Sequence, residues 1–193
     1  MSDICSKISQ NFTLDCANPS VGGVSETFYI FNFDDFKGAS YTFDPSNSQA
    51  IDSLITLGSG ITGFKIEGYT NTVRPLFDAS RVEGRPSYKH TISFQVAGDD
   101  ANANLFAKRL MSGKFVCIVA TNSNAIKVYG SGTGLEMPDQ TAQDYYASNA
   151  SYTIQLTTND ETLEVAPPFT YLGAGSPYDF ATAKAEIEAL ILS

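Results

Sequence analysis

With 193 residues the chain is long enough for one large domain, and a hydrophobic fraction of 42% with 13 Phe and 10 Tyr supplies a core. Twelve Lys and Arg against 21 Asp and Glu give a net charge of −9, and the lack of any basic run excludes tight nucleic-acid binding. No window approaches the ~18 apolar residues of a membrane span, so we expect no membrane partner.

The cysteines indicate a reducing site of synthesis. Three is an odd number, and Cys117 lies in an apolar run, where a buried and reduced thiol is expected. The first residues also lack the basic and apolar segments of a signal peptide, so we expect synthesis in a cytoplasm. Cys5 and Cys16 could pair, but no His or second cysteine pair near them gives the spacing of a zinc site.

Composition divides the chain into three regions. These are an N-terminal arm at residues 1–24, a β domain at 25–175 and a C-terminal helix at 176–193. The arm is polar and turn-rich, which is typical of a segment that only a neighbour orders. Residues 26–33 are then too aromatic for a strand with one wet face. We expect their burial on both faces, or on one face by a second subunit.

The next hundred residues predict mostly strands. Turn residues separate short strands at residues 40–43, 51–57 and 61–69. Residues 70–85 are interpreted as a long, hairpin-like loop, which suggests a functional segment. The clearest alternation begins at Tyr88, and its core-facing side chains are His90, Ile92, Phe94 and Val96. A helix at about 101–112 follows, with the basic pair Lys108-Arg109 near its C-terminus.

The remainder also favours β structure until the final helix. We expect a doubly buried strand at residues 115–119 and further strands at 126–130, 133–137, 152–157 and 163–165. Ser176-Pro177 is a typical helix start, so a terminal helix is predicted over about 177–191. Its apolar stripe would pack on the domain or on a neighbour.

Residues that could carry catalysis are sparse. His90 is the only histidine, and its place on an apolar strand face favours a structural imidazole. The stretch Gly130 to Gly134 lacks the Lys-Ser/Thr ending of a phosphate loop and is interpreted as a turn. The acidic pairs suit turns or a helix cap and lack calcium-loop spacing. We therefore predict no catalytic residue, no metal ligand and no cofactor.

Several stretches carry a family resemblance. They are residues 64–68 (FKIEG), 90–96 (HTISFQV), 104–113, 115–119, 128–130 and 134–136. They resemble tail and neck structural proteins of phages that infect Bacteroidetes, including the crAss-like group. The order of long strand, helix, buried strand and glycine-rich hairpins is also similar to the tail-tube fold. The likeness covers about residues 61–165.

The resemblance implies a mainly β protein, an antiparallel sandwich or barrel of tail-tube type with two flanking helices. It also implies a virion protein that forms six-fold or twelve-fold rings, contacts neighbouring virion proteins and lines a channel through which DNA passes without sequence-specific binding. An acidic lumen lets DNA slide without sticking. We place the contacts between subunits on the aromatic strand and the long loop, at Phe28, Phe31, Val73, Arg74, Leu76, Phe77, Arg81, Val82 and Arg85.

Two other classes stay open. A carbohydrate-binding or adhesin-like β domain of a virion would show the same tyrosines and polar strands, with a concave aromatic patch on a monomer or trimer. An enzyme that uses scattered acids is the third class.

Overall fold

The structure is a computed structural model that describes residues 23–53, 55–68, 72–97, 101–138, 151–173 and 178–191. The strands are β1 (Val24–Asn32), β2 (Phe43–Asp44), β3 (Asn47–Ile51), β4 (Phe64–Glu67), β5 (Arg74–Val82), β6 (Arg85–Ala97), β7 (Phe115–Thr121), β8 (Ile126–Tyr129), β9 (Ser151–Thr157) and β10 (Phe169–Tyr171). The helices are α1 (Phe33–Lys37), α2 (Ala101–Met111) and α3 (Phe180–Glu188). The fold is mainly β and sandwich-like, as predicted.

The strands form two sheets. The larger has seven strands in the order β2-β3-β10-β8-β7-β1-β4, and the smaller has three in the order β5-β6-β9. All neighbours pair antiparallel except β10 with β3. The aromatic strand β1 lies between β7 and β4, so its backbone is hydrogen-bonded on both sides.

Both faces of the seven-stranded sheet are covered within the chain around β1 and β7. On one face Phe28 and Cys117 pack with Phe94 and Ile154 of the small sheet and with Leu110 of α2. Tyr29, Ile118 and other residues of the opposite face pack against Phe36 of α1 and against Ala183 and Ile187 of α3. The expected double burial of β1 and β7 is therefore confirmed, and the covering layers belong to the same subunit.

Phe28, Phe31 and Val73 are thus parts of the subunit's own core. Phe28 is fully buried and meets the Phe94 ring edge-on with centroids 4.8 Å apart, while Phe31 and Val73 are also buried. The prediction that these three residues contact another subunit is wrong, because their side chains are almost completely buried within the subunit and leave no solvent-exposed surface for a partner. A strand that is apolar at successive positions is equally well explained by a sheet with two covering layers.

The helix predictions differ in accuracy. α2 agrees with the predicted 101–112, and its Leu110 packs into the core. α3 is shorter than predicted, because Asp179 is its N-cap and accepts the Thr182 N–H, whereas Ser176 and Pro177 lie outside the described residues. α1 was missed, since its acidic pair was interpreted as a turn.

Several short strands are misplaced in the sequence-based prediction. Residues 133–137 and 163–165 form isolated bridges, Phe115 with Leu135 and Tyr88 with Glu164, in place of full strands. The stretch interpreted as a long, hairpin-like loop contains a regular strand, β5, which has nine residues and pairs with β6 throughout. Residues of the N-terminal arm before Gly23 lie outside the described residues. None of the described helices is long and apolar enough to cross a membrane.

The core assignment of Phe28 makes a stability prediction. Phe28→Ala should lower the free energy of unfolding by about 3–5 kcal/mol, because it empties a fully buried ring site. The matched change Phe77→Ala, at a strand residue that is 45% exposed, should cost about 1 kcal/mol or less. Urea denaturation of dilute protein measures both. Equal losses would contradict the assignment of Phe28 to the core.

Candidate functional site

The most prominent surface feature is the hairpin of β5 and β6. Glu83 and Gly84 form its turn with φ values of 50° and 80°, as in a two-residue type I′ turn. The third strand, β9, pairs with β6 only from Thr91 onward. Arg74 to Leu76 pair with the part of β6 that β9 also binds, and Tyr88 forms a bridge with Glu164, so only the end of the hairpin beyond these contacts projects as two strands. We call the whole segment of residues 74–90 the ribbon.

The ribbon exposes large apolar side chains on both faces. Leu76 is 53% exposed, Phe77 45% and Val82 49%. Cross-strand pairing places Phe77 on the face of Tyr88, and their ring centroids are 6.4 Å apart. Leu76 and Val82 lie on the other face, since side chains alternate along a strand. Exposed apolar groups on both faces of one hairpin are typical of an interaction site.

The ribbon is also basic, whereas the rest of the chain is acidic. It carries four of the 12 basic residues, including three of the four arginines, against two acids. Eight basic and 19 acidic residues remain elsewhere, so the ribbon has a net charge of +2 and the rest −11. Of the basic residues, Arg74, Arg81 and Arg85 are exposed. Opposite charges on different parts of one molecule favour contact between copies.

Buried polar groups fix the base of the ribbon. His90 is 1% exposed; its Nε2–H donates to the Ala166 carbonyl over 3.0 Å, and its Nδ1 accepts the Gly130 N–H over 3.1 Å. Both ring nitrogens are therefore satisfied in a neutral imidazole. Burial lowers the pKa of His90 to about 4, and the bond to Ala166 opposes this only in part. The prediction of a structural histidine agrees with this geometry.

Glu164 links the glycine-rich loop to the same base. Its backbone exchanges two hydrogen bonds of 2.9 Å with Tyr88. Its buried carboxylate accepts the backbone N–H groups of Gly132 and Thr133 at 3.1 and 2.9 Å and the Thr133 hydroxyl at 3.2 Å. The amides that could have held a phosphate already hold an internal carboxylate. Gly130 completes the turn with φ of 74°, and a Cβ there would lie 2.6 Å from the Leu135 side chain.

Nucleophilic and metal chemistry find little support in this part of the chain. Burial raises the pKa of the Cys117 thiol far above its usual range, which suppresses the reactive thiolate. Among the described residues no group of three or more His, Cys, Asp and Glu side chains could hold a metal ion.

Six of the nine predicted contact residues lie on the ribbon, distributed over its two faces. Arg74, Leu76, Phe77, Arg81, Val82 and Arg85 are all exposed on the ribbon. Sequence reasoning missed Glu164, whose only signal was an acid between Leu163 and Val165. It also missed an apolar groove between β4 and α2, because that surface joins residues far apart in the chain.

Comparison of the chain with protein-family models finds no match, and comparisons with curated proteins and with solved structures find no significant similarity. Any function has therefore to be inferred from the geometry of the chain itself.

The His90 environment predicts a specific pH dependence. A free histidine has a pKa of 6.5, whereas the folded chain holds His90 at about 4. Between these values only the unfolded state takes up the proton, so stability present above pH 6.5 is lost as the pH falls to 4, by about 3 kcal/mol.

His90→Gln serves as the matched control, because Gln does not titrate and the carboxylates common to both proteins cancel. The unfolding free energies, measured by urea titration at several pH values, should converge from pH 6.5 to pH 4. A constant difference between the two proteins would show that His90 is not held neutral.

Proposed function

We propose that this chain is a virion structural subunit that self-assembles into rings, as part of a phage tail tube or head-tail neck that lines a DNA channel. The observation that carries the proposal is the ribbon, a basic and apolar projection on an acidic body. The basic ribbon and the acidic surface that would bind it are different parts of the subunit. Such a contact is heterologous, and heterologous contacts close into rings when the rotation allows.

Burial of apolar side chains would supply most of the energy of this contact. Exposed ion pairs contribute about 0–1 kcal/mol each, so Arg81 and Arg85 would mainly orient the subunits. Removing the exposed halves of Leu76, Phe77 and Val82 from water would contribute roughly 1 kcal/mol each. Their rigid support by β6 and the buried base reduces the entropy lost on binding.

The body's charge suits the proposed channel. A net charge of −11 outside the ribbon repels the phosphates of DNA, so the duplex would pass without stable binding. The ribbon's basic residues would be neutralised by acids of the next subunit. This division of charge supports the proposed assembly around a DNA channel.

Removal of the ribbon's apolar residues tests the proposal. Leu76→Ser/Phe77→Ser should give a folded monomer, because both side chains are about half exposed and outside the core. Wild type should form rings or tubes in electron micrographs and a discrete oligomer by light scattering. Val165→Ser, at a residue that is 84% exposed outside the ribbon, should assemble like wild type.

Three outcomes would count against this reading. If the double variant unfolds, the ribbon belongs to the subunit's own core. If it assembles at the wild-type concentration, the ribbon is not the interface. Dispersed monomers or trimers of the wild type at high concentration would favour the carbohydrate-binding or adhesin-like alternative.

The charge division makes a separate prediction about salt. Arg81→Gln/Arg85→Gln should raise the concentration needed for half-assembly and flatten its salt dependence, because two attractions to acids are lost. Lys37→Gln/Lys184→Gln removes the same charge from the body, at an exposed site and at a partly buried site, and should leave assembly unchanged or favour it. Sedimentation velocity at several salt concentrations compares the variants. An equal effect of the two double variants would show that assembly depends on net charge alone and not on the position of the charges.

A further inference from the structure

A second surface lies apart from the ribbon. A groove of about 810 Å³ separates β4 from α2. Ile66 of β4 and Leu110 of α2 are buried in the adjoining core, whereas Phe64 is 43% exposed and Leu105 45%. No residue of the ribbon lines this groove. It therefore presents apolar surface that the described part of the subunit leaves uncovered.

One wall of the groove is an open sheet edge. β4 ends the order of the seven-stranded sheet, with β1 on one side; on the other side the described residues contribute a bridge of Gly63 with Ile191, directly before β4 begins. The Gly68 N–H donates to the Glu26 carbonyl of β1. Backbone groups alternate in direction along an antiparallel strand, so the N–H and C=O of Ile66 point toward β1, and those of Lys65 and Glu67 point outward. Within the described residues, no strand pairs with these outward groups. An open edge beside an apolar groove accepts an extended segment as an additional strand.

The segment of residues 8–16 has a matching pattern. Its odd-numbered residues are all polar, and its even-numbered residues are mainly apolar: Ile8, Gln10, Phe12, Leu14 and Cys16. It carries one acid and no base. The groove is bordered by Lys65, Lys108 and Arg109 against one acid, Glu67. Side-chain period and charge are therefore complementary.

We propose that residues 8–16 of a neighbouring copy add to β4 as an antiparallel strand, with their even-numbered side chains under α2. The inference rests on the self-assembly proposed above and assigns it a second contact. Phe64 and Ile66 share the face toward α2, so the even-numbered residues of the added strand enter the groove beside them. The ribbon and the groove then bind different parts of a neighbour.

The length of the connection favours a neighbouring copy. In the antiparallel orientation Cys16 lies beside Phe64, which pairs with Ile30 at the far end of β1 from Gly23. The distance back to Gly23 is about 25 Å for seven residues along β1 and two strand spacings. Residues 17–22 reach about 24 Å when fully extended, which leaves nothing for a path around β4. A second copy has no such restriction.

A disulfide test uses the chain's own thiol. Cys5→Ser/Ser112→Cys leaves Cys16 in the segment and adds a thiol at the end of the groove next to Asn32. Cys117 is fully buried and does not compete. Protein labelled with ¹⁴N and ¹⁵N is mixed, assembled, oxidised with diamide, digested and analysed by mass spectrometry. We expect a disulfide between Cys16 and position 112, with mixed-isotope pairs.

The control is Cys5→Ser/Val165→Cys, which places an equally accessible thiol outside the groove. Cross-linking at position 112 no higher than at position 165 would overturn the inference, as would pairs of one isotope only. Rings in electron micrographs without this disulfide would reject the arm contact and leave the proposed function standing. Absence of both rings and disulfide would reject both.

The open edge is tested by a matched pair at Lys65. Lys65→Pro removes the outward N–H without removing a bond to β1, and Lys65→Ala keeps that N–H. In the Ser112→Cys background, the Pro variant should lose most of the disulfide while the Ala variant retains it. If circular dichroism shows the Pro variant unfolded, Leu105→Glu replaces it, since this half-exposed site tolerates a charge. Retention of the disulfide in the folded blocking variant would contradict strand addition.

Discussion

The pairing of β1 with β7, covered on both faces, is the constraint on which the structure depends. These strands are apolar at successive positions, so neither of their faces can remain in water. The chain meets this requirement with two different layers, a small sheet with α2 on one side and two helices on the other. Because Phe28 and Phe31 are buried in the core, the two surfaces proposed for contact with partners lie at the margins of the sandwich: the ribbon, and the outer edge of β4.

The same arrangement explains how a thin projection can be rigid. A two-stranded ribbon is only marginally stable alone. Here His90 and Glu164 connect its base to two loops through buried hydrogen bonds. Such bonds are costly to leave unmade, so the loops and the ribbon keep a fixed relation. The glycine-rich loop thus acts in support of the ribbon, and its amides bind a side chain of the same protein.

Charge and shape act together at the two surfaces. The ribbon is convex, apolar and basic, while the groove is concave, apolar and bordered by bases. They are not complementary to each other. The ribbon instead suits the acidic body of a neighbour, and the groove suits a segment with one acid and alternating apolar residues. Two independent contacts of moderate strength would give an assembly with higher avidity than either contact alone.

Sequence patterns determined the class of the fold, the buried strands β1 and β7, the extent of α2 and the structural role of His90, because each depends on local periodicity or on a single buried group. They did not assign the strand β5, which was interpreted as part of a long hairpin-like loop. Pro75 fits this strand because β5 lies at the edge of the small sheet, and edge position is a property of the assembled sheet. The apolar residues of the interface prediction divide into exposed and buried ones for the same reason, because Phe77 and Phe28 are the same residue type in the sequence. Only the tertiary structure decided which of them meet solvent, because burial depends on which layers pack together and not on the residue alone.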